Sequence, residues 1–160
     1  MNIILIAFIL ATTGAAATLI AGTDTFRTDV TVVTVTAGSV LMAIPAIQAI
    51  LGTTSHPFSV TSPVFGHLYM TIDALSGWFM LIIGIIFTAG AFYGAGYMKH
   101  YREDSARTAL HWFSYIMAFA SMMALCMVRN SLGFLIAWEI MALSSFILVI
   151  FASDKKETIK

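Results

Sequence analysis

Apolar residues in this chain come in long runs rather than in alternation with polar ones. Five stretches, about 3–21, 30–51, 74–98, 111–128 and 132–151, are almost continuously hydrophobic. A helix that crosses a hydrocarbon core about 30 Å thick needs roughly 20 such residues, and each run meets that length. The pattern predicts an all-α integral membrane protein, one transmembrane domain over residues 1–160 with five spans. The long connection between the second and third runs differs in kind. It has no Lys or Arg and is rich in Thr, Ser, His and Pro. Val60, Val64 and Phe65 alternate there with turn-formers around Ser62–Pro63, which predicts a short extracytoplasmic hairpin.

Composition agrees with the bilayer as solvent. Hydrophobic residues make up 59% of the chain and charged residues 10%, against roughly 25% charged in ordinary globular domains. A soluble fold of this size has too little polar surface to cover so much apolar area. The formal net charge is zero, so nothing points to nucleic acid. The single cysteine, Cys126, forms no intrachain disulfide and reads as a small buried hydrophobe. Met1-Asn-Ile-Ile-Leu5 lacks the basic n-region of a secretory signal, so the first run reads as a retained helix.

Charge placement supplies an orientation. With five spans and the N-terminus outside, the inner segments hold Arg27, Lys99, Arg102, Arg107, Lys155, Lys156 and Lys160, and the outer ones only Arg129. This asymmetry favours basic residues inside and places the C-terminus there too. Asp24 and Asp29 fall in the first connection, Glu103 and Asp104 in the third, Asp154 and Glu157 in the tail, and Asp73 at the start of the third span. Glu139 alone lies within a span.

Small residues predict where helices approach closely. Ala11, Gly14, Ala15, Thr18 and Gly22 give the first helix a small face, and Gly90-Ala-Phe-Tyr-Gly94 is a GxxxG in the third. Pro45 interrupts the hydrogen-bond ladder of the second helix and predicts a kink, serving either packing or a polar cavity near Gln48.

Glu139 carries the main chemical interest. A charge at the centre of a membrane helix costs about 2.5–3.5 kcal/mol on insertion scales. Neutralising a glutamic acid at pH 7 costs roughly 3.7 kcal/mol. The two costs are close, so a neighbouring lysine or a file of water decides which form persists. That balance is what a proton relay requires. The competing reading is a neutral acid hydrogen-bonded to Ser144, Ser145 or a backbone carbonyl. Ser114, Ala118, Ser121 and Leu125 share one face of the fourth helix, which either lines a hydrated path beside Glu139 or joins helices. His111 at the inner end of that helix is a candidate for proton entry or an interfacial histidine. Asp73 before Ala-Leu-Ser76 fits a helix N-cap, with proton exit as its alternative. His56 and His67 have no further ligands at zinc-like spacing and read as solvated loop residues. The methionines, Met117, Met122, Met123 and Met127 among them, read as packing. No nucleotide, haem or CxxC motif appears, so the sequence points to no metal and no cofactor in this chain.

The segments His111-Trp-Phe-Ser-Tyr-Ile-Met-Ala-Phe-Ala-Ser-Met-Met123 and Asn130-Ser-Leu-Gly-Phe-Leu-Ile-Ala-Trp-Glu139-Ile-Met-Ala-Leu-Ser-Ser145 resemble the antiporter-like proton-pumping subunits. These occur in respiratory complex I, Mrp-type cation antiporters and membrane-bound hydrogenases. Asp73-Ala-Leu-Ser76 and Tyr97-Met-Lys-His-Tyr101 resemble them as well, and the Trp-Glu-Ile-Met-Ala-Leu-Ser-Ser wording is nearest the hydrogenase and formate hydrogenlyase branch. The resemblance covers about 73–160 well and the first seventy residues loosely. It implies a non-redox subunit of an oxidoreductase complex that moves H⁺ or Na⁺. It also implies a multi-pass location, in the inner membrane of a prokaryote. In the family the glutamate at the position of Glu139 pairs with a lysine on a later, broken helix, and their changing separation drives proton transfer. That broken helix has no counterpart before Lys160. The expectation is therefore an N-terminal part, or one piece of a split subunit, completed by another chain and assembled with other membrane subunits. Two other classes compete: a five-helix scaffold or inactive truncation with Glu139 neutral, and a self-contained channel, for which the lone intramembrane charge is a poor basis.

Overall fold

The structure is a computed structural model that describes residues 3–52, 58–62, 66–98 and 105–153. Its elements are α1 (Ile3–Ile20), α2 (Asp24–Ile50), β1 (Phe58–Ser62), β2 (Gly66–Met70), α3 (Ala74–Tyr97), α4 (Ser105–Met127) and α5 (Ser131–Ser153). All five helices are long and apolar enough to cross a bilayer, as the hydrophobic runs predict. The chain is a multi-pass helical membrane protein. β1 and β2 form the expected hairpin, antiparallel with Phe58 opposite Met70 and Ser62 opposite Gly66. His67 pairs with Thr61 in that ladder; His56 and Pro63 lie outside the described residues. So do Lys99, Arg102, Lys155, Lys156 and Lys160, which carry most of the charge asymmetry, and the acidic Glu103, Asp104, Asp154 and Glu157.

α4 is the central helix, touching α1, α2, α3 and α5. Half of its membrane span is buried, against 11% for α5, which sits at the margin with α4 as its main support. Lipid tails are as apolar as the helices, so the bundle is held by close fit rather than by hydrophobic exclusion. Large residues of α4 sit over small ones on its neighbours. Trp112 covers Gly94, Tyr115 covers Gly90 and Phe119 covers Gly38. The GxxxG of α3 is thus a seat for the aromatic face of α4. The Tyr115 hydroxyl donates to the Phe87 carbonyl at 2.7 Å, and the Phe87 ring tilts against both Tyr115 and Phe119.

On α1 the small face is buried through Ala11, Gly14, Ala15 and Thr18, with Gly14 backed on Thr34 of α2. Gly22 departs from expectation. It lies past the end of the helix, exposed and clear of any described neighbour within 4 Å. α2 continues through Pro45, and Gln48 lies exposed on its surface rather than in a cavity. Beside the proline, the α3 backbone comes so close that a Cβ at Gly77 would stand 2.6 Å from the Ala46 carbonyl oxygen.

Two boundaries move. α2 starts at Asp24, not near 30, and α4 at Ser105, not near 111. Helix formers such as Ala106, Arg107, Ala109 and Leu110 extend α4 beyond its apolar run. In α2 the cause is electrostatic. Asp24 occupies the first turn, where a negative charge is favoured, and its Oδ1 lies 2.7 Å from the Arg27 guanidinium. Arg27 Nε donates to the Thr18 carbonyl at 3.1 Å. Carbonyls of a last helical turn lack intrahelical partners and carry partial negative charge. Arg27 is therefore no connecting-loop residue. It is buried, 5% exposed, and closes the end of α1.

At the opposite end of α2, the hairpin is tied to the α4–α5 turn. Thr71 N–H donates to the Met127 carbonyl and Arg129 N–H to the Tyr69 carbonyl, both at 2.9 Å. Arg129 also donates to Thr71 Oγ1 at 2.7 Å and to Asp73 Oδ2 at 2.6 Å. Asp73 Oδ1 accepts from the Ser76 N–H at 2.7 Å, so Asp73 is the N-cap of α3. The Ser76 N–H and then Arg129 hold its carboxyl at about 2, below the ordinary 3.8. A depressed acid stabilises fully above its ordinary value and loses that contribution as pH falls through the folded one.

Thermal unfolding in mild detergent therefore has defined outcomes. Asp73→Ala costs about 1 kcal/mol, the usual worth of a cap, whereas Asp73→Asn keeps the cap and loses only the charge. The wild-type advantage over Asp73→Asn is full above pH 3.8 and fades as pH falls to about 2. Gly77→Ala forces α2 and α3 apart and costs about 1–3 kcal/mol, the range for overpacking.

Candidate functional site

α5 is apolar all round, so burial of small residues decides which side faces the bundle. Gly133, Ala137 and Ser144 are its buried positions, and they let the helix lie close against α4. At about 100° per residue, Glu139 stands roughly 160° from Ala137 and roughly 140° from Ser144. It is on the far side of α5, and it is exposed. Leu132, Leu135, Leu143 and Phe146 are exposed with it. Together they make an apolar ridge with one carboxyl group in it.

Glu139 is also near mid-height. The apolar part of α5 runs Ser131–Phe151, centred on Met141, so two residues displace Glu139 by about 3 Å along the axis. Among the described residues it makes no hydrogen bond and no ion pair. No hydrogen bond joins Glu139 to Ser144 or Ser145 in this fold. Ser144 is buried toward α4, and Ser145 is exposed.

The other sequence candidates do not converge on Glu139. Ser114 and Ser121 are buried, 0% and 5% exposed. Ser121 Oγ donates to the Ala118 carbonyl at 2.9 Å, and Ser114 Oγ has no partner among the described residues. Ser114 and Ser121 are thus buried within the bundle, whereas Glu139 is exposed on α5. His111 packs at the other end of α5, its ring 4.7 Å from that of Phe151, with Nδ1 buried and unpartnered. Asp73 caps α3 and pairs with Arg129.

Two features escaped the sequence reading. One is the buried Arg27. The other is a groove of about 390 Å³ between α2 and α3, lined by Thr36, Ser39, Gly84 and Thr88 among others. Thr88 Oγ1 donates to Ser39 Oγ at 3.2 Å, which donates to the Gly84 carbonyl at 3.3 Å. Hydroxyls at 36 and 39 facing small residues at 84 and 88 are the signal that predicts such a contact. Among the described residues no three His, Cys, Asp or Glu side chains come together as a metal site.

No protein-family model matches the chain. The chain is similar to Hydrogenase-4 component B of Escherichia coli (strain K12), with 35% identity over 91 residues. The matched segment is 57% of this chain and 13% of that protein, so the chain spans a small part of its relative's length.

The facing of α5 has a direct check in detergent, on a Cys126→Ala background. A nitroxide attached at Glu139→Cys is mobile and relaxed by dissolved oxygen, which concentrates in the apolar phase, and one attached at Ser144→Cys is immobilised and shielded. Equal mobility and equal oxygen access contradict the orientation.

Proposed function

We propose that this chain is an ion-translocating, antiporter-like membrane subunit, or part of one, in a hydrogenase-type or related respiratory assembly. Its working group is Glu139. The observation that carries the reading is the carboxyl group on the outer face of α5 at mid-height, without a partner among the described residues. Left against lipid, such a charge costs about 2.5–3.5 kcal/mol. A covering helix that brings a cation to the same depth removes that cost and controls when the proton leaves. The exposed ridge around Glu139 gives that helix an apolar surface to lie on.

The similarity to a hydrogenase component supports the assembly, and the resemblance of the segment around Glu139 supports H⁺ or Na⁺ as cargo. The remaining helices come from the rest of a longer subunit or from a second chain. Proton entry at His111 and exit near Asp73 belong to this proposal too. The buried hydroxyls of Ser114 and Ser121, and the exposed Ser145, then serve as relay points only where added helices and water join them to the carboxyl. A prokaryotic inner membrane, with the N-terminus outside, completes the reading.

A second reading is a scaffold with no transport role. It is favoured by the separation of Glu139 from Ser114 and Ser121, which leaves no continuous polar route within these helices.

The purified assembly in sealed vesicles separates the two. Glu139→Gln abolishes ion movement coupled to electron transfer while part of the electron chemistry persists. Full coupled transport by that variant overturns the relay, and loss of assembly together with activity favours the scaffold.

A further inference from the structure

We draw no further inference here: the strongest candidate, a pocket of about 450 Å³ where the starts of α2 and α4 meet the end of α3, lined by Asp24, Asp29 and Thr108 among others, carries nothing, because Asp24 is already paired with Arg27 and nothing in the structure shows what its carboxylates would hold.

Discussion

A carboxyl group at half the height of an apolar helix has no solvent of its own. Hydrocarbon does not stabilise its charge, and holding it neutral at pH 7 costs a comparable amount. Something else must meet it. In a self-sufficient bundle that group is turned inward, onto hydroxyls or a cation. Here Gly133, Ala137 and Ser144 hold α5 against α4, and this choice of face sends Glu139 outward. The same small residues that make a stable contact on one side therefore create an unmet requirement on the other.

The rest of the bundle is arranged to meet its own needs. Aromatic residues of α4 rest on glycines of α2 and α3, Arg27 closes the end of α1, and Arg129 ties the hairpin to the α4–α5 turn and the cap of α3. Arg27, Asp73 and Arg129 at the helix ends thus find partners within the chain. Against that background the exposed acid stands out, because a helix supported mainly along one side leaves most of its surface for something else. The apolar ridge of Leu132, Leu135, Leu143 and Phe146 suits another membrane helix, and under the proposed function that helix carries the cation that Glu139 meets.

Much of this was legible in the sequence, for physical reasons. Length and apolarity identify a membrane span almost by themselves, which is why all five helices were predicted. Asp73 before Ala-Leu-Ser76 has the chemistry of an N-cap, and Gly90 with Gly94 that of a close contact. The facing of Glu139 was not read. α5 has no polar side, so its hydrophobic pattern holds no direction, and the informative residues were the small ones at 133, 137 and 144. The start of α2 was missed because charge ends an apolar run but need not end a helix. Asp24 and Arg27 pair within the first turn, and burial of the arginine depends on α1, which no local window contains. Distances between the face of Ser114 and Ser121 and the glutamate depend in turn on how α4 and α5 dock.

The central claim is that Glu139 is met by a cation from outside these five helices. Cryo-electron microscopy of the complete assembly in lipid nanodiscs tests it most directly, through what lies beside that carboxyl group. The account predicts a lysine or arginine of an adjoining helix within hydrogen-bonding reach, directly or through one ordered water. Acyl chains packed along Leu135, Glu139, Leu143 and Phe146, with no basic side chain at that depth, would contradict it.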